Sequence, residues 1–160
     1  MKPLLTNNFL DYFLKLNLKD KTFLEIGAGD STIFFSKIFK KMASFEDDET
    51  IFNNLKKLRM SNVRMFLFND TNIENLLVPC LYESSLIILI DNNPNKTTRI
   101  KVAKLVHKHI KKDAIIILDN GEKNLDAYWF LKSRYYCLDF PGKRYDNTYS
   151  LTTMFFNESN

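Results

Sequence analysis

The segment Phe23-Leu24-Glu25-Ile26-Gly27-Ala28-Gly29-Asp30-Ser31-Thr32 constrains the fold of this chain more than any other. A largely apolar run, Phe23 to Ile26, ends in two glycines spaced by one residue, and an amphipathic segment begins at Ser31. That order reads as a strand, a tight turn and a helix start. Glycine lets the backbone turn sharply and leaves space for a ligand to approach. Amide groups at the start of a helix favour electron-rich ligand atoms. The plain alternative is an ordinary strand-to-helix turn.

The rest of the chain repeats the pattern, apolar runs alternating with amphipathic segments. This predicts an α/β sandwich with a mainly parallel sheet. At 160 residues it is expected to form a single minimal domain over 1–160. Helices are expected over Asn8 to Leu16, Thr32 to Phe39, Asp48 to Met60, Arg99 to Lys112 and Leu125 to Arg134, with a turn of helix at Ile73 to Leu77. Strands are expected over Thr22 to Gly27, Lys41 to Glu46, Val63 to Phe68, Leu86 to Ile90, Ala114 to Leu118, Tyr135 to Phe140 and Thr148 to Phe156. Leu86 to Ile90 is entirely aliphatic, as in a strand buried on both faces, and Pro94 interrupts the chain before the next helix.

A net charge of +4 is mildly basic, but the cations form no nucleic-acid stripe. Lys101, Lys104, Lys108 and Lys111 recur at helical spacing, opposite Ile100, Ala103, Val106 and Ile110, as a solvated face does over a core face. His107 and His109, two apart on that helix, point in different directions and do not suit a shared metal. Cys80 and Cys137 lack metal-ligand spacing and read as buried free thiols. No long apolar window and no secretory leader are visible, so a cytoplasmic location without membrane contact is expected. Phe34, Phe35, Trp129 and Tyr136 are candidate exposed aromatics for a homodimer face.

Ligands of parallel α/β sheets sit beyond the carboxyl ends of the strands. On that edge the expected strands end at Gly27/Gly29, Glu46, Asp70, Asp91 and Asp119/Asn120. Glu46 follows Gly29 at the interval where a dinucleotide fold places its ribose acid, and a carboxylate accepts from both ribose hydroxyls. Asp47, Asp48 and Glu49 begin the next helix, where acids complement the dipole.

The sequence Glu25-x-Gly27-x-Gly29 resembles motif I of class I S-adenosylmethionine-dependent methyltransferases. The alternation followed by a terminal hairpin resembles their Rossmann-like core, which implies seven strands with the last inserted antiparallel. The resemblance implies S-adenosylmethionine as cofactor. Glu25, Gly27 and Gly29 then line the methionine part, with Ala28 and Ser31 in the same turn; Glu46, beside Asp47, holds the ribose; Asp70 meets the adenine amino group; Asp91 lies beside the methyl group. Leu118-Asp119-Asn120-Gly121-Glu122, Asp139-Phe140-Pro141-Gly142, Tyr145 and Thr152-Thr153-Met154-Phe155 resemble the tail of small FkbM-like methyltransferases. The chain departs from that type at Ile90-Asp91-Asn92, where glycine usually follows the acid, and in the loop Asn93-Pro94-Asn95.

Asp91 is then the first candidate for catalysis and Asp119 the second, with Asn120 orienting an unidentified methyl acceptor. The acceptor leans to a sugar or polyketide-type hydroxyl by the FkbM-like resemblance. Two other readings remain. One is a module that binds the nucleoside without catalysis. The other is a nicotinamide-dependent oxidoreductase, for which the third motif glycine would fall at Thr32.

Overall fold

A computed structural model of the chain describes residues 2–18, 20–93, 95 and 97–157; Pro94 lies outside them. Seven strands form one sheet: β1 (Thr22–Ile26), β2 (Lys41–Glu46), β3 (Val63–Leu67), β4 (Leu86–Ile90), β5 (Ile115–Leu118), β6 (Tyr136–Lys143) and β7 (Tyr149–Phe156). Their order is β3-β2-β1-β4-β5-β7-β6. The five strands from β3 to β5 are parallel, and β7 runs antiparallel between β5 and β6. Among the described residues the α-helices are α1 (Asn7–Phe13), α2 (Asp30–Phe35), α3 (Glu49–Lys57), α4 (Ile73–Leu81), α5 (Arg99–His109) and α6 (Leu125–Lys132).

Strand alternation distributes the core between two layers. Leu24, Ile26, Ile88 and Ile90 face the layer that contains α4, α5 and α6. Phe23, Ile87 and Leu89 face the opposite side, with α1 and α2. There Phe23 packs on Phe35 and Phe39 with ring centroids 4.5 and 4.8 Å away. β4, at the centre, is buried at every position. Among the described residues no helix is long and apolar enough to cross a membrane.

Several expectations need correction. Phe35 is fully buried in the aromatic knot and belongs to no exposed face, while Trp129 and Tyr136 are exposed. Cys80 and Cys137 are free but only half-buried. α4 is a nine-residue helix, because Ile73, Leu77 and Leu81 recur every four residues and are buried, while Pro79 lies on the exposed side. His107 and His109 do diverge, to Tyr135 Oη at 2.8 Å and Tyr82 Oη at 3.2 Å.

Candidate functional site

The register of the parallel strands builds the site. Phe45 of β2 pairs with Ile26 of β1, Ile26 with Ile90 of β4, and Ile90 with Leu118 of β5. The next residue on each strand is therefore Glu46, Gly27, Asp91 and Asp119, side by side along one sheet edge. Over this edge lies a cavity of about 360 Å³, lined by the Gly27–Ser31 turn, Glu46, Asp47, Asp48 and Asp91, with Leu4, Ile51 and Asn93 at its margins. Among the described residues the lining carries five carboxylates (Asp30, Glu46, Asp47, Asp48, Asp91) and no cation.

The two glycines do different work. Gly27 has φ +96°, and a Cβ there would lie 2.5 Å from Asn92 N. Its need is the close approach of the β4 end, not of a ligand. Gly29 has nothing within 4 Å of a Cβ and opens onto the cavity. The amides of the turn ahead of the helix are used within the protein. Gly27 and Ala28 N–H both donate to Phe45 O, at 2.8 and 3.1 Å, and Gly29 N–H donates to Thr32 Oγ1 at 3.0 Å.

Glu25 is fully buried behind the turn and does not line the cavity. Thr32 and Ser44 hydroxyls donate to its Oε2, and its Oε1 has no partner among the described residues. Burial pushes its carboxyl up to about 7, against the hydroxyls of Ser31, Thr32 and Ser44. Ser31 is buried and lines the cavity. Glu46 Oε1 accepts from Asp47 and Asp48 N–H at 3.0 and 2.8 Å, an arrangement that fixes the carboxylate at the cavity wall. Burial, together with the charge on Asp47, pushes Glu46 up to about 7 as well. Asp48 caps α3, accepting from Thr50 and Ile51 N–H.

Asp70 is exposed and stands outside the cavity, paired with Lys101 at 2.9 Å, which holds its carboxyl below the usual range. Asp91 lines the cavity, and its Oδ1 accepts from Arg99 Nη2 at 2.9 Å. Burial raises Asp91 to about 6 although Arg99 opposes the shift. Asp119 is fully buried and away from the cavity. Thr152 Oγ1 donates to its Oδ1 at 2.7 Å, and Arg144 and Asn120 Nδ2 donate to its Oδ2. Burial and the Asp91 charge raise it to about 7, against Arg144. Asn120 adopts φ +52° and accepts from Arg144 and Ser150. Asp119 and Asn120 are thus bound into the protein, while Asp91 reaches the cavity.

Arg99 and Arg144 were not singled out by the sequence reading. Arg99 carried a signal, since a cation at the first position of a helix opposes the helix dipole. Arg144 lies in the β6–β7 turn among other polar residues, and no local pattern marks it.

No protein-family model matches the sequence, and no curated protein matches it either. Solved structures match its fold. TomG from Streptomyces achromogenes, an O-methyltransferase involved in tomaymycin synthesis and solved with S-adenosylmethionine, superimposes with a TM-score of 0.70. The match covers 94% of this chain and 79% of that one at 13% identity. The fold is that of class I S-adenosylmethionine-dependent methyltransferases. A precorrin-6y C5,15-methyltransferase from Geobacter metallireducens gives 0.62 over 99% and 93% of the two chains at 16% identity. An rRNA methylase from Streptococcus thermophilus gives 0.59 over 88% and 90% at 15% identity. These three names carry very different acceptors, so the fold leaves the acceptor open.

Proposed function

We propose that the chain is an S-adenosylmethionine-dependent methyltransferase that uses the cavity over β1, β2 and β4. The observation that carries this reading is the aligned edge of Gly27, Glu46 and Asp91 beneath a cavity whose charged lining, among the described residues, is carboxylate. Such a wall suits a ligand with a sulfonium and an ammonium group. It repels the pyrophosphate of a nicotinamide dinucleotide.

Glu46 Oε1 is engaged by two amides, so its other oxygen is the acceptor for ribose hydroxyls. The open space at Gly29 and the side chain of Ser31 accommodate the amino-acid part. When bound, S-adenosylmethionine supplies an electrophilic methyl group on sulfur. Asp91 orients the acceptor along the line of displacement and takes its proton when the attacking atom is a hydroxyl or a protonated amine. Asp119 and Asn120 act behind it, anchoring the β6–β7 turn through Arg144. The FkbM-like resemblance of residues 118–122 and 152–155 favours a hydroxyl acceptor.

A second reading is a nucleoside-binding module without catalysis. It is favoured by one observation: both candidate acids, Asp91 and Asp119, are ion-paired to arginines. Binding without methyl turnover on a panel of hydroxyl and amine acceptors would support it.

Thermal denaturation tests the cofactor assignment. S-adenosylmethionine and S-adenosylhomocysteine raise the melting temperature with the logarithm of ligand excess, by about 2.7 kcal/mol of stability at 100 times Kd. NAD and NADP leave it unchanged. A shift with NAD alone ends the methyltransferase reading.

A further inference from the structure

Arg99 is the first residue of α5 and its side chain is only 5% exposed. A buried guanidinium at the positive end of a helix is disfavoured twice, by desolvation and by the dipole. Its position therefore needs a tertiary cause, and the cause is the gap between two strand ends. Nε donates to Asn92 O at 2.9 Å, Nη1 donates to Asp119 O, and Nη2 donates to Asp91 Oδ1 at 2.9 Å. The planar fork ties β4 to β5 beyond their last paired residues and fixes which oxygen of Asp91 it holds. Among the described residues no hydrogen bond reaches Asp91 Oδ2, and Asp91 lines the cavity while Arg99 does not.

We infer that Arg99 is the positioning residue of the methyl-transfer face: it binds one oxygen of Asp91 and presents the other to the atom that carries the methyl group. The inference rests on the proposed function, because it takes the cavity as the S-adenosylmethionine site. Among the described residues, Arg99 of α5, Arg144 of the β6–β7 turn, Glu25 of β1 and Asp119 just past β5 act on the charge of Asp91. The two arginines favour its anion and the two acids oppose it. Without Arg99 the balance tips, and Asp91 keeps its proton to a higher pH.

Sinefungin is the probe, because a carbon bearing an ammonium group replaces the methylated sulfur. S-adenosylhomocysteine, with a neutral sulfur at that point, is the reference. Titration calorimetry across roughly pH 5 to 9 gives the ratio of the two affinities, which reports the charge on Asp91. In the wild type, sinefungin binds roughly tenfold tighter at alkaline pH, and the ratio falls towards one as pH drops through about 6. Asp91→Asn makes the ratio flat. Arg99→Gln moves its midpoint up by about one pH unit or more. Arg99→Lys keeps the charge, so its midpoint stays within about half a unit of wild type even if the protein melts earlier.

A wild-type midpoint in Arg99→Gln overturns the inference, as does an Arg99→Lys midpoint displaced as far as that of Gln. If circular dichroism shows that Arg99→Gln does not fold, the other two variants decide. A ratio that still titrates in Asp91→Asn, or a displaced midpoint in Arg99→Lys, rejects the role; a flat ratio in the first with an unmoved midpoint in the second supports it. Failure of both ligands to bind the wild type sinks the cofactor reading itself. Binding with no midpoint shift in Arg99→Gln sinks only the role of Arg99.

Discussion

Burial raises the Glu46 carboxyl to about 7, so its grip on ribose hydroxyls depends on pH. Those hydroxyls donate to the anion and favour its ionised form, so S-adenosylmethionine affinity falls as pH drops through that value. Calorimetry with S-adenosylhomocysteine, whose neutral sulfur is insensitive to the charge on Asp91, is expected to show Glu46→Gln binding about tenfold or more weakly at alkaline pH, with the pH dependence near 7 gone. Unchanged affinity would place the ribose elsewhere. Asp91→Asn leaves S-adenosylhomocysteine affinity within a few-fold and cuts turnover by roughly 10²–10⁴, the range that general bases supply. Asp119→Asn acts instead on the fold. It strips the largely buried Arg144 of its carboxylate and costs about 3–5 kcal/mol in denaturant unfolding. Glu46 and Asp91 were legible in the sequence because each closes an apolar run at the sheet edge. Arg99 and Arg144 were hidden because the carboxylates they pair with, Asp91 and Asp119, lie 8 and 25 residues away.

The strand-turn-helix unit of β1 and α2 was visible as a pattern, but the reason for its glycines was not. Gly27 is required by the backbone of Asp91 and Asn92, a contact between elements more than 60 residues apart in sequence. Gly27→Ala therefore destabilises the fold by about 2 kcal/mol or more, from positive φ and overlap together. Gly29→Ala meets open space, so its melting temperature stays near wild type while S-adenosylmethionine binds more weakly. Equal loss of stability in the two variants would contradict this division. α4 runs four residues beyond the turn expected at Ile73 to Leu77, and the helix tolerates Pro79 on its exposed face. Phe35 was misplaced because α2 ends there and the following turn brings Phe39 beside it over Phe23.

Across the whole molecule, the alternation of runs was enough to read a three-layer α/β architecture, but not the order of its strands. The insertion of β7 between β5 and β6 followed only from the family resemblance, since a terminal hairpin can also pair at the sheet edge in sequence order. The finished sheet gathers Glu25, Glu46, Asp91 and Asp119, each raised to about 6 or 7 from ordinary values of 4.5 or 3.8. Between those limits the folded state binds more protons than the unfolded state. Stability of the ligand-free protein therefore falls as pH rises from about 4.5 to 7 and levels above it. Calorimetric melting at about pH 5.5 and about pH 8 checks this, and a higher melting temperature at the alkaline value would refute it. The central claim, that the cavity over β1, β2 and β4 holds the methyl donor, is tested most directly by a crystal structure with S-adenosylhomocysteine. The account predicts its ribose on Glu46, its amino-acid part along Gly29 and Ser31, and its sulfur facing Asp91. Density at any other place, or a ligand with its ribose turned away from Glu46, would contradict it.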